Sequence, residues 1–442
     1  MEFARRRLSP HDLDVLAHGS GGAPVARWLA DTQLGRGLLL LWGVMDTARR
    51  VGHVEAERTR QAYRLLADLQ RRHPEEAETV LGHPATGAWA LGVLRALQGA
   101  EAPGCPHTDP AGLSAIAAAV MIRAGVRGAV RVPAADGAVM LPSLGRADVP
   151  GDEVLVRSSG RGAEVTAPGV RVAIPADPRT DAPGWHGLRT VTASAHGFTI
   201  RAVLDDLDAW RLPGAMVRDR LGGAEVAEWR SLLEEAWEVL TCHHWTTAME
   251  CQTIVRALVP LVAPPSGQRS ASSRETFGAV GTSRPVDALG LAVTFAHEVQ
   301  HAKLAAVLDT VLLIRPDSGR RYYAPWREDP RPVEGLLQGA YAHLGVSGFW
   351  RRQRHHERGM AAMRAHAQFA RWRTAALRVT RTLLASGELT DEGMAFATGM
   401  RRTLEAWEAE HVPAPALLRA RREAEQHRTR WRLRNCAASE PG

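Results

Sequence analysis

The sequence predicts an α+β fold that is predominantly helical, on three observations. Apolar residues recur at helical spacing through about the first 125 positions and again from Gly223 onward. Between them, residues 129–205 alternate apolar with polar and are broken by Gly, Pro and Asp, the pattern of short strands and hairpins. The longest apolar helical stretch, Ala288 to Ile314, carries His-Glu-x-x-His between Pro285 and Pro316. These imply three segments: a helical N-terminal region (1–128), a small β-rich insert (129–222) and a helical domain (223–442) holding the motif.

In order, Ser9-Pro10-His11-Asp12 has the chemistry to open a short helix that Gly19 to Gly22 would end. Val25–Arg50 and Glu55–Arg72 read as amphipathic helices, the first with Trp28, Leu29, Leu38, Leu41 and Trp42 on its apolar side. Val80–Leu97 and the Ala-rich Leu113–Ala124 read as two more. Gly128–Leu144, Glu153–Ile174 and Leu188–Asp205 read as strands. Ala224–Leu240 returns to helix, with Trp229, Leu233 and Trp237 in phase. Phe277–Ser283 is a strand just ahead of the motif helix, and from residue 333 the chain is helical to about Arg434.

A chain of 442 residues, 45% apolar and 23% charged, has ample material for a core and for two or three domains. Its four cysteines form no C-x-x-C pair, which argues against a disulfide scaffold or a cysteine zinc site. Cys242-His243-His244-Trp245 fits no common ligand set with Cys251. No apolar run follows the basic N-terminus and none is long enough to span a bilayer, so a cytoplasmic protein without a membrane partner is expected. The formal charge is +7, and a single lysine, Lys303, stands among 55 basic residues. The arginine-dense stretches 351–373 and 419–434 read as solvated helix faces, because no nucleic-acid motif interrupts them.

The motif carries the functional reading. Residues four apart on a helix share a face, so His297 and His301 can point two imidazoles at one metal ion. Glu298 stands beside them, able to reach a metal-bound water. The plain alternative is a buried helix whose histidines are only hydrogen-bonded. Two histidines need a third protein ligand, and Glu334, in the first turn of a helix Val333–Phe349, is the candidate. Asp309 and His343 compete with it. Asp309 lies roughly 80° around the helix from His301, a better place for a partner of a ligand than for a ligand. The connection Gly319–Pro332 holds Tyr322, Tyr323, Trp326 and arginines able to clamp a carboxylate.

This region resembles the HExxH-motif proteins associated with ribosomally synthesised, post-translationally modified peptides. The resemblance rests on His297–His301 with Leu304 and Asp309, Tyr322-Tyr323-Ala324-Pro325-Trp326-Arg327, Asp329-Pro330-Arg331-Pro332 and Gly335-Leu336-Leu337-Gln338-Gly339. The entry segment from Leu8 to Gly19 is similar too. The resemblance implies a metallopeptidase-like helical scaffold and an Fe(II)- and 2-oxoglutarate-dependent hydroxylase acting on a precursor peptide. It implies His297 and His301 as ligands, and an arginine, among Arg321, Arg327 and Arg331, for the far carboxylate of 2-oxoglutarate. The alternative is a zinc peptidase, with Glu298 as general base and Tyr322, Tyr323 or His343 steadying the oxyanion. Ligand types alone do not separate the two.

Overall fold

A computed structural model describes residues 8–100, 106–265 and 267–435. Cys105 and Cys436 lie outside the described residues. The chain begins with α1 (Pro10–Ala17). As its sequence implies, Ser9 caps it: Ser9 Oγ accepts from the Asp12 amide over 3.0 Å. Then come α2 (Gly22–Arg50), α3 (Ala56–Arg72), α4 (Pro74–Leu81), α5 (Pro84–Leu97) and α6 (Leu113–Arg123). The single helix expected over Val80–Leu97 is two. Pro84 has no amide hydrogen and its ring would strike the carbonyl four residues back, so the chain breaks at Gly82-His83 and α5 restarts on Pro84.

The insert forms two antiparallel sheets. One has the order β1 (Gly128–Pro133), β4 (Glu153–Ser158), β5 (Ala163–Ala167), β6 (Val170–Ile174). The other pairs β2 (Ala138–Leu141), β3 (Gly145–Asp148) and β7 (Trp185–Gly187). The hairpin β8 (Arg189–Ala195) and β9 (Phe198–Leu204) joins a different sheet, with β10 (Ala257–Pro260), β11 (Ser270–Ala271) and β12 (Ala279–Thr282). There β9, β10 and β12 run parallel. The helices α7 (Gly223–His243) and α8 (Trp245–Ile254) precede β10. The motif helix α9 (Ala288–Leu308) follows β12, and α10 (Val333–Gln353), α11 (Gly359–Ala385), α12 (Asp391–Glu408) and α13 (Ala414–Asn435) complete the described chain. The fold is mixed α+β with 55% helix and 15% strand, so helices dominate as the sequence implies.

Three cores organise these elements across the segment boundaries. The N-terminal helices α2–α6 share one core with the sheets of β1 to β7, through residues such as Leu66, Ile116, Val156 and Trp185. A second core lies between the five-stranded sheet and α7, α8 and α9. A third joins α9 to α10–α12, and α1 packs into it. The motif helix is thus buried on two sides, by Leu291, Phe295 and Val299 toward the sheet and by Leu304 and Val307 toward the bundle. Each such side chain contributes roughly 1.5–3 kcal/mol on burial, enough together to fix the helix's rotation. Among the described residues no helix is long and apolar enough to cross a membrane.

The polar positions of α9 explain why the chain needs its entry segment. Lys303 is fully buried and donates to both carboxylate oxygens of Glu250 on α8, each at 2.9 Å. It also donates to the Ser20 carbonyl at 3.1 Å, and Gln300 Nε2 donates to the Gly19 carbonyl at 2.9 Å. Glu250 accepts in turn from the Gly22 amide at 3.2 Å. The turn between α1 and α2 is therefore held on the back of the helix that carries the motif.

Candidate metal centre

Asp287 fixes where α9 starts, its Oδ1 accepting from the Gly290 amide at 2.7 Å. From there the 3.6-residue repeat sets His297 and His301 on one face, along a cleft of about 1290 Å³. Their Nε2 atoms stand 3.1 Å apart. Two ligand nitrogens on one ion at about 2.1 Å stand about 3.0–3.4 Å apart for angles between octahedral and tetrahedral. The pair fits that spacing. His297 is also held neutral, as a ligand must be, because burial lowers its imidazole to about 4.

Helix α10 supplies the opposite wall. Gln338 Oε1 stands 3.0 Å from His301 Nδ1. A carboxamide oxygen only accepts, so Nδ1 carries the proton and Nε2 presents its lone pair to the cleft. His343 lies beside His297, with ring centroids 5.2 Å apart and planes nearly perpendicular. Its Nδ1 contacts the Gly339 carbonyl at 2.8 Å, and its ring stacks on Trp326 at 4.4 Å and leans on Trp372 at 4.6 Å. Burial pushes His343 well below the usual imidazole range, so this ring too is neutral.

Glu298 is buried, and its Oε2 has no hydrogen-bond partner. Its Oε1 is 3.9 Å from His297 Nε2. A buried carboxylate oxygen without a donor is costly unless something absent from the chain satisfies it. The two imidazole nitrogens therefore fit two positions on a divalent cation, with a carboxylate nearby, and without an ion the same 3.1 Å contact is a hydrogen bond between the rings.

Of the other expected residues, Glu334 lines the same cleft but is 57% exposed, 3.8 Å from Arg274 Nη1. Neither its carboxylate nor that of Glu298 forms, with the two motif imidazoles, a set of ligand atoms all within 4.8 Å; among the described residues the set of that kind is His83, Asp205 and Asp208. Asp309 is held away from the histidines by Arg274 at 2.7 Å and Gln33 at 2.9 Å. Arg327 and Arg331 line the cleft but pair with Asp329 at 2.9 and 3.1 Å. Arg321 pairs with Asp317 at 3.0 Å and is not part of the cleft wall. Tyr322 donates to Glu388 at 2.7 Å and Tyr323 meets His427 at 2.9 Å, so neither hydroxyl faces the cleft. His243 and His244 are spent on stacking, with His356 and Phe349.

Sequence reading missed three cleft residues. Arg269 has no ion-pair partner among the described residues and is a guanidinium available to an anion. Trp350 and Trp372 add aromatic surface. None of the three stands in a motif; they are brought in by β11 and by α10 and α11. Compared with known proteins, the chain matches no family model and no curated protein.

Proposed function

We propose that this cleft is the active site of a metal-dependent enzyme modifying a ribosomally synthesised precursor peptide, most directly by Fe(II)- and 2-oxoglutarate-dependent hydroxylation of a side-chain β-carbon. The observation that carries the reading is the His297–His301 pair, spaced at 3.1 Å for one ion and facing an open cleft. Fe(II) with 2-oxoglutarate, when bound, supplies oxidation of an unactivated C–H bond by O₂. His297 and His301 hold the ion, with Gln338 fixing the second ring. The third position falls in this reading to Glu334 across the cleft, or to Glu298 on the motif helix, after a side-chain movement toward the ion. Arg269 offers the distal carboxylate of the cosubstrate a guanidinium that Arg327 and Arg331 could offer only by leaving Asp329. Trp326, Trp350 and Trp372 give a peptide side chain an apolar wall. The cleft exceeds the 300–1,000 Å³ or so that holds one small ligand, leaving room for a peptide segment beside a cosubstrate. The reading includes a cytoplasmic location, in keeping with the unpaired Cys242 and Cys251, and no nucleic-acid partner.

One observation favours a second reading, a zinc-dependent peptidase acting on the precursor. Glu298 has one carboxylate oxygen 3.9 Å from His297 Nε2 and the other unpaired, and that chemistry needs a general base beside the metal ligands. Co-expression with a candidate precursor, followed by mass spectrometry, separates the two. A mass gain of one oxygen, with succinate formed from 2-oxoglutarate, supports the hydroxylase. A shortened peptide whose formation stops in Glu298→Gln supports the peptidase and ends the first reading.

A further inference from the structure

A second cluster of ligating side chains lies away from the motif helix. His83 occupies the break between α4 and α5, and Asp205 and Asp208 the turn after β9. All three are buried, at 4%, 1% and 4% exposure. His83 Nε2 lies 3.3 Å from Asp205 Oδ2 yet has no hydrogen-bond partner. Each carboxylate has committed one oxygen to the turn. Asp205 Oδ1 accepts from the amides of Leu207 at 3.2 Å and Asp208 at 3.0 Å, and Asp208 Oδ1 from Trp210 at 2.8 Å. Asp205 Oδ2 has the 3.3 Å contact with His83, and no hydrogen bond among the described residues engages Asp208 Oδ2. One ligand atom from each residue, an imidazole nitrogen and two carboxylate oxygens, falls in one group within 4.8 Å.

The geometry of this group suits a cation. Two carboxylates and one imidazole are brought together here with little solvent around them. The nearby Arg211 does not neutralise them through a carboxylate contact, because Nη1 goes to the Asp208 carbonyl and Nη2 to the Arg218 carbonyl. A divalent cation would give the orphaned His83 nitrogen and the facing carboxylate oxygens a common partner.

We propose that His83, Asp205 and Asp208 bind a divalent transition-metal ion that joins the N-terminal helical core to the five-stranded sheet. One nitrogen and two oxygens suit Zn²⁺ or Mn²⁺, whereas Mg²⁺ and Ca²⁺ favour oxygen alone. The site lies on a seam that is already closely fitted. Trp210, from the same turn, packs so tightly on Gly92 of α5 that an added Cβ there would lie 2.2 Å from its ring. His83 also lines a cavity of about 1180 Å³, which gives an ion a way in.

The test is zinc stoichiometry after dialysis, using Zn²⁺ alone on the His297→Ala/His301→Ala protein, which lacks the motif histidines. That protein is expected to retain one equivalent, falling to near none when His83→Gln or Asp208→Asn is added. X-ray absorption at the zinc edge is expected to show one imidazole among oxygen ligands. Absence of bound zinc in the His297→Ala/His301→Ala protein overturns the proposal, as does an equivalent that survives both added substitutions. If the added substitutions unfold the chain, the absorption spectrum decides alone: sulfur ligands, or no imidazole, also overturn it.

Discussion

His301 Nδ1 donates to the Gln338 side-chain carbonyl over 3.0 Å, and this bond decides which nitrogen of the ring is left for a metal. Gln338→Ala is expected to weaken metal binding roughly 10–100-fold, the usual effect of losing a group that orients a ligating histidine. Gln338→Glu keeps an acceptor and should retain most of the affinity. Competition against a chelating dye measures both.

Gly345 lies where α10 crosses α9. A Cβ there would stand 2.6 Å from the Ala296 carbonyl and from Gln300 Cγ. The first contact is with backbone, so Gly345→Ala must push the two helices apart. The expected cost is about 1–3 kcal/mol, together with weaker metal binding as the two walls of the cleft separate. Urea unfolding and the same dye titration, run on one preparation, check the two effects.

The lysine buried behind the motif is predicted to matter more for folding than for chemistry. Lys303→Met strands the Glu250 carboxylate in the core and is expected to cost about 3–5 kcal/mol. Replacing both partners, as Lys303→Met/Glu250→Leu, removes the unpaired charge and should restore much of that loss. A single variant as stable as the parent in urea would show that the pair does not hold α8 to α9.

Stability should fall in mild acid. His244 is buried between the Gln353 carboxamide, at 2.9 Å, and the Phe349 ring. Burial lowers its imidazole to about 4, with the Gln353 bond opposing that shift, against 6.5 in the unfolded chain. Above 6.5 both states are neutral and the contribution is whole. Between 6.5 and about 4 only the unfolded state takes the proton, so stability drops as the pH falls and the loss is complete below about 4. Its size is about 3 kcal/mol for this group. His297 titrates in the same direction, so the quantity to measure is the difference between parent and His244→Gln in unfolding midpoint across pH 7 to 4. That difference should shrink as the pH is lowered.

What the sequence made legible is what short-range spacing encodes. The capped α1 follows from Ser9-Pro10, and the shared face of His297 and His301 from a separation of four on an apolar helix. The α4–α5 break needed only the weight of Pro84, which apolar periodicity had outvoted. The other parts of the site depend on how distant elements rotate against each other. His343 lies nine residues past Glu334, about 180° around α10, yet the rotation of α10 against α9 brings it against His297. The pairing of Arg327 and Arg331 with Asp329 is a property of a loop conformation that spacing does not set. His83, Asp205 and Asp208 come from two regions with no pattern linking them, and only the packing of α5 against the turn after β9 brings them together.

The most direct test of the central claim is metal content, measured on anaerobically purified parent protein and on His297→Ala/His301→Ala side by side. The account predicts that the parent holds one equivalent more than the variant, and that the extra ion is redox-active iron. Equal metal content in the two proteins would contradict it.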